Sequence, residues 1–130
     1  GIEAIPMGYI LLDGDHQSAV QMVTGCTPIA QKAVEDVVRH AVAGQLLGKQ
    51  LIYLEAGSGA QTPVSAQVVR AVREVIDIPL IVGGGITSVQ QMLDAFAAGA
   101  NVVVIGNYFE QHPQSLLTFL QAKQSYCYDD

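Results

Sequence analysis

The chain switches repeatedly between short apolar runs and longer stretches in which apolar residues recur every three or four positions. The runs are Tyr9-Ile10-Leu11-Leu12, Leu51-Ile52-Tyr53-Leu54-Glu55, Pro79-Leu80-Ile81-Val82 and Val102-Val103-Val104-Ile105. Each has the length of a strand. The last three lack polar alternation, which predicts parallel strands covered on both faces. Between the first two strands lies a long polar connection reaching Thr27-Pro28, then a helical pattern with Val34, Val37, Val38, Ala41, Val42 and Leu46 on one side. Glu35, Asp36, Arg39 and His40 take its other side, and Gly48 stops it. In the next helix Thr62 is the expected cap, Pro63 the first residue, and Val68, Val72, Val75 and Ile76 the buried side. Ser88 and Gln91 have the spacing of a capping box, after which Val89, Met92, Leu93 and Phe96 face inward up to Gly99. A last helix from about Pro113 offers Leu116, Leu117 and Leu120, and the tail from Ser125 to Asp130 is expected to fray.

Strands alternating with helices define the α/β class, because parallel neighbours need crossover connections. The glycines choose between its two main architectures. Gly83-Gly84-Gly85 and Gly106-Asn107 directly follow two successive strands, as in the phosphate-binding loops after strands seven and eight of a (β/α)8 barrel. A dinucleotide fold would instead place G-x-G-x-x-G after the first strand, where this chain has Asp13-Gly14-Asp15-His16. The expected fold is therefore the C-terminal half of a TIM (β/α)8 barrel, about four βα units. Residues 1–130 would form a single partial domain carrying the phosphate-binding loops, with the upstream half absent from this chain.

Composition narrows the function. The 130 residues are 50% hydrophobic and 14% charged, which suits one packed core and excludes a disordered chain. No apolar run is long enough for a membrane helix, and Gly1 to Ile5 lacks the basic region of a secretory signal. Twelve acids against six bases, a net charge of −6, argue against nucleic acid as the partner. Cys26 and Cys127 stand far apart without paired spacing and read as buried or surface thiols of a reducing, cytoplasmic protein. The bases, Lys32, Arg39, Lys49, Arg70, Arg73 and Lys123, fall in predicted helices or at strand starts. An anion at the strand C-terminal ends would thus rely on backbone dipoles, hydroxyls or a metal.

The string Tyr53-Leu54-Glu55-Ala56-Gly57-Ser58-Gly59-Ala60, followed by Val82-Gly83-Gly84-Gly85-Ile86 and Gly106-Asn107, resembles the C-terminal half of the geranylgeranylglyceryl phosphate synthases. This prenyltransferase family includes the bacterial PcrB relatives. Ile5-Pro6-Met7-Gly8-Tyr9-Ile10-Leu11, Ser18-Ala19-Val20, Thr24-Gly25 and Pro28-Ile29 fit the same pattern, so the likeness spans nearly the whole chain. It implies transfer of a geranylgeranyl or longer polyprenyl group from its diphosphate to the free hydroxyl of sn-glycerol 1-phosphate, an ether-lipid step. It also implies a magnesium (Mg2+) cofactor whose ligands lie near the missing first strands, so no metal ligand is expected in this chain. Homo-oligomerisation is implied too, and the 130 residues alone are expected to be inactive. Thr87 stands where many relatives carry arginine, and Asn101 where aspartate is common. Another phosphate-binding barrel enzyme of isomerase or aldolase type, or a non-catalytic, self-associating half-barrel, would share the glycine loops.

Candidate site residues follow. Backbone N–H groups of Gly84, Gly85, Gly106 and Asn107 would cradle a phosphate, since glycine permits close approach and positive φ, and the following helix N-termini favour negative charge. Those glycines could also be plain turns. Glu55, ending an apolar strand at the barrel mouth, is the expected catalytic residue, able to take the glycerol hydroxyl's proton; otherwise it would pair with a neighbouring helix. Tyr53 points the same way in the strand and is either a substrate contact or a packed core tyrosine. The resemblance makes the stretch Tyr53, Leu54, Glu55, Ala56, Gly57, Ser58 and Gly59 substrate-binding. Ser58 lacks the surroundings of a nucleophile. Asp13, Asp15 and His16 read either as a metal cluster or as a solvated turn. His40 and His112 read as surface or cap residues, and Met7, Met22 and Met92 as filler.

Overall fold

Four parallel strands form one sheet whose spatial order is the order of the chain: β1 (Met7–Leu11), β2 (Leu51–Glu55), β3 (Leu80–Gly83) and β4 (Val102–Val104). A doubly wound sheet must reverse its strand order, and this one does not. Right-handed crossovers between sequential strands put the helices on one face, the arrangement of a barrel wall. The computed structural model describes residues 1–128, with side chains through Tyr126.

Register sorts the strand residues into rows. Ile10, Leu54, Val82 and Val103 lie side by side, as do Tyr9, Tyr53, Ile81 and Val102, then Leu11, Glu55, Gly83 and Val104. Successive rows face opposite sides of the sheet. The row of Ile10, Leu54 and Val82, with Ile52 and Leu80, is buried against Val37, Ala41, Val68, Val69 and Val72 from the helices. Removing each of these Val, Leu or Ile side chains from water stabilises the fold by about 1.5–3 kcal/mol. The expectation that the strands are covered on both faces needs correction. On the other face Tyr9 is 40% exposed, Val102 47% and Val104 42%. The apolar runs arise because a barrel's inner wall is also apolar.

The helices are α1 (Ala19–Thr24), α2 (Val34–Leu46), α3 (Ala66–Arg73), α4 (Val89–Ala97), α5 (Asn107–Gln111) and α6 (Leu116–Tyr128), with a 3-10 turn at Pro113–Ser115. Close packing of α2 depends on absent side chains: a carbon added at Gly8 or Gly44 would lie 2.7 or 3.0 Å from Ile52 Cδ1. Several expectations shift. The polar connection after β1 contains α1, capped by Ser18 and ended by Gly25 at φ 67°. Ser65, not Thr62, caps α3, accepting from the Val68 N–H. That helix ends at Arg73, so Val75 falls past its buried stripe and is exposed, as is Leu46 at the end of α2. Ser88 accepts from the Gln91 N–H, while the Gln91 side chain reaches the N–H of Thr87 rather than that of Ser88.

The last helix anchors through Phe119, packed with Ile86 and Met92; Leu116, Leu117 and Leu120 are exposed. Ser125 to Tyr128 belong to α6 rather than to a frayed tail, and Tyr126 stacks on Phe96 at 6.3 Å. Cys26 is exposed with a free thiol; the Cys127 side chain lies outside the described residues. No described helix is long and apolar enough to cross a membrane.

Candidate functional site

Parallel strands deliver all their C-terminal ends to one rim, and the loops that leave β2, β3 and β4 surround a cleft of about 310 Å³. Tyr53 and Glu55 form part of its wall, with Ser58, Gly59, Gly84, Gly85, Thr87, Gly106, Asn107, Tyr108 and Gln111. The glycine loops, separated in sequence, therefore meet in space with the β2 carboxylate between them.

Glu55 is only 8% exposed. Its Oε1 accepts the N–H of Gly57 at 2.8 Å, and this bond aims the carboxylate back over its own strand end. The glycines at the end of β3 and just after it make room for the acid and for the neighbouring loop, each differently. A side-chain carbon at Gly83 would lie 2.5 Å from Tyr53 Oη and 3.2 Å from Glu55 Oε2. One at Gly84 would lie 2.5 Å from Glu55 Oε1 and 2.8 Å from the Gly57 nitrogen, and φ there is 88°. Gly85, at φ 71°, lets the loop pass the backbone of Thr62 and Pro63. The Gly-Gly-Gly element thus first accommodates the acid and the neighbouring turn; an open cradle is the result.

Tyr53 completes the acidic corner. Burial, then a hydrogen bond to Glu55, then the Glu55 charge and Tyr9, hold its hydroxyl protonated well above the ordinary tyrosine range. The phenol is a donor at any physiological pH. Tyr9, its register partner on β1, meets it edge-on with ring centres 5.4 Å apart. Burial and the Glu55 charge raise the Tyr9 hydroxyl as well.

The loop ties use groups other than the cradle amides at 84, 85, 106 and 107. Ala56 N–H donates to Gly83 O at 2.9 Å, Ala60 N–H to Gly57 O at 3.1 Å, and Phe109 N–H to Gly106 O at 2.9 Å. Among the described residues those four amides donate to no main-chain oxygen outside their own elements. The cleft lining contains no lysine or arginine, so backbone amides, hydroxyls and the Asn107 amide are its donors.

Not every residue of the β2 string reaches the cleft. Leu54 and Ala56 are corrections: their side chains are 0% and 1% exposed, in the core on the helix side, as strand alternation requires. Gly57 stands behind the lining. At φ 100°, it packs on Ser18 and offers its N–H to Glu55. Thr87, Tyr108 and Gln111 join the site unforeseen; only their nearness in sequence to the Gly-rich loops signalled them.

Asp13, Asp15 and His16 resolve into a structured turn. Asp13 Oδ1 accepts the Asp15 N–H at 3.0 Å, and Asp15, at φ 58°, accepts from the Thr62 hydroxyl. Among the described residues no group of three or more His, Cys, Asp or Glu side chains is placed to hold a metal ion. A magnesium ion therefore has no set of three such side chains among the described residues. His40 and His112 bond main-chain oxygens of their own helices, at Asp36 and Tyr108.

Comparison with known proteins places this geometry. Residues 1–123 match the model of the PcrB family. Over 110 residues, 85% of this chain and 47% of the relative, it is 54% identical to a geranylgeranylglyceryl phosphate synthase of Zunongwangia profunda. It is 38% identical over 125 residues to that of Korarchaeum cryptofilum, covering 96% of this chain and 51% of the relative. Among solved structures, the (S)-3-O-geranylgeranylglyceryl phosphate synthase of Thermoplasma acidophilum, in complex with substrate sn-glycerol-1-phosphate, superposes with a TM-score of 0.77 at 37% identity. That match covers 82% of this chain and 42% of the other. The Thermoplasma volcanium enzyme gives 0.77 at 39% identity, covering 83% of this chain and 43% of the other. The chain spans about half the length of the curated relatives it matches.

Proposed function

The chain belongs to the PcrB family, and from that premise we propose that it is the phosphate-binding half of a prenyltransferase making an ether-lipid precursor. The acceptor is sn-glycerol 1-phosphate and the donor a geranylgeranyl or longer polyprenyl diphosphate. The acceptor's phosphate sits among the amides of Gly84, Gly85, Gly106 and Asn107, with Ser58 alongside. The glycerol backbone then reaches down to Tyr53 and Glu55. In the reaction the acceptor's free hydroxyl oxygen forms a bond to the first prenyl carbon. The bond from that carbon to the diphosphate oxygen breaks with its electron pair, and the hydroxyl proton passes to Glu55. Tyr53, held protonated, donates to the carboxylate or to the acceptor and keeps the two aligned.

The observation that carries this reading is the buried Glu55 carboxylate in the wall of a cleft rimmed by three Gly-containing loops. An acid among backbone donors, without a competing lysine, suits a neutral alcohol bearing a distant phosphate. The resemblance also implies magnesium, with its ligands expected near the strands that precede this half. Homo-oligomerisation and a cytoplasmic location belong to the same proposal; the exposed apolar residues of β4 and α6 support association.

Glu55→Gln in the intact enzyme tests the role. Turnover of sn-glycerol 1-phosphate with geranylgeranyl diphosphate is expected to fall roughly 10²–10⁴-fold, with phosphate binding retained. Unchanged turnover would remove the acid from the mechanism. Binding of phosphate without any prenyl transfer by the wild type would point to a different phosphate-using barrel.

A further inference from the structure

The loop after β1 brings a donor up to the edge of the cleft, outside the residues that line it. His16 lies over the bare side of Gly59. A side-chain carbon there would be 3.7 Å from His16 Nε2 and 3.9 Å from Asn107 Nδ2. Two nitrogen groups, from the first and last loops of the rim, thus come within 4 Å of one point on the cleft's edge.

Nothing about this placement is left to a free loop. Gly14 O accepts the N–H groups of Gln61 and Thr62 at 2.9 and 3.1 Å. The α-carbon of Gly14 abuts Ala56 and Ala60 so closely that no side chain would fit. Asp15 takes the Thr62 hydroxyl, which leaves the next residue to project over Gly59. The β1 loop is fastened to the β2 loop at Gly14 and Asp15, the two residues before His16, and the imidazole is carried to the edge of the rim.

We propose that His16 is a ligand of the phosphoryl group, its Nε2 N–H closing the cradle beside Gly59 and Asn107. The assignment rests on the glycerol phosphate reading for its substrate but not for its chemistry, which any phosphoryl oxygen satisfies. In a cleft lined without lysine or arginine, an imidazole N–H is the donor best able to select a phosphate over a neutral polyol.

Calorimetric titration of the intact protein with inorganic phosphate and with sn-glycerol 1-phosphate tests this. His16 is exposed, so His16→Ala is expected to melt with the wild type. Its dissociation constants for both probes are expected to rise roughly tenfold. His16→Gln, which keeps a donor of similar reach, is expected to recover most of the loss. His16→Ala binding both probes like the wild type, or His16→Gln binding as weakly as His16→Ala, overturns the assignment. Wild-type protein that binds phosphate but not sn-glycerol 1-phosphate, with His16→Ala weaker for phosphate, keeps His16 and removes the proposed substrate. Wild-type protein that binds neither probe overturns both.

Discussion

The hydroxyl of Tyr53 and a carboxylate oxygen of Glu55 meet over the bare α-carbon of Gly83, on the strand beside their own. A methyl group at 83 would lie 2.5 Å from Tyr53 Oη and 3.2 Å from Glu55 Oε2. Gly83→Ala is therefore expected to push the phenol off the acid and to cost about 1–3 kcal/mol of stability as overpacking. Urea unfolding measures the second effect and turnover the first. A variant with native stability and native turnover would show that the three groups do not share this space.

Tyr53 also makes a pH prediction with a definite sign. Its hydroxyl is raised on folding above the ordinary 10.0, first by burial and then by Glu55. Stability from that shift is complete below about pH 10 and declines above it, because the unfolded chain releases a proton that the folded chain keeps. Tyr53→Phe is expected to flatten part of the alkaline decline. Urea midpoints of both proteins from about pH 8 to pH 11 give the comparison; parallel curves would contradict it. Tyr9, raised in the same direction, remains in the variant and keeps some slope.

Asn101 and Leu80 exchange two hydrogen bonds at the start of β3 and β4. Asn101 N–H donates to Leu80 O at 2.8 Å, and Leu80 N–H donates to Asn101 Oδ1 at 2.9 Å. Arg73 adds a third, from Nη1 to the same Oδ1 at 3.0 Å. Asn101→Ala strands the N–H of a fully buried residue and is expected to cost about 1–3 kcal/mol. Asn101→Asp keeps the acceptor and gains only a surface ion pair, so its change should stay within about 1 kcal/mol. Equal losses in the two variants would place the effect elsewhere.

Ser65 supplies the cap that α3 needs, accepting the Val68 N–H. Ser65→Ala is expected to cost about 1 kcal/mol, and Thr62→Ala to leave the cap of α3 intact. Thermal unfolding of the two variants decides; a larger loss for Thr62→Ala would show that its bond to Asp15 contributes more stability than the α3 cap.

Much of the fold follows from local pattern. The strands lie where apolar runs end at glycines, and α2 and α4 where a period near 3.6 survives ten or so residues. What escaped were elements too short to show a period. Helix α1 has no buried residue and α5 only five residues. The cap of α3 was misplaced because Thr62, though well spaced for capping, gives its hydroxyl to a residue 47 positions away. In α6 three leucines outweighed Phe119 as core candidates, yet it is the aromatic that is buried with Ile86 and Met92.

The site divides along the same line. Glu55, Tyr53, Ser58 and the glycine pairs were legible because strand polarity sends every C-terminal end to one rim and because the motif is dense there. Leu54 and Ala56 belong to the same string, but alternation turns them into the helix-side core. His16 and Tyr9 stand on the first βα unit, far from the motif, and no periodicity links them to it.

By itself the sequence determined the class, the strand order's polarity and the chemistry available at the rim. Those depend on residue type and short-range spacing, which a linear reading contains. Tertiary structure alone decided that Gly83 and Gly84 accommodate the Glu55 carboxylate, that Tyr53 stays protonated, and that His16 lies beside Asn107. These are distances between loops, set by how closely neighbouring strands pack, and close packing is a property of the assembled sheet.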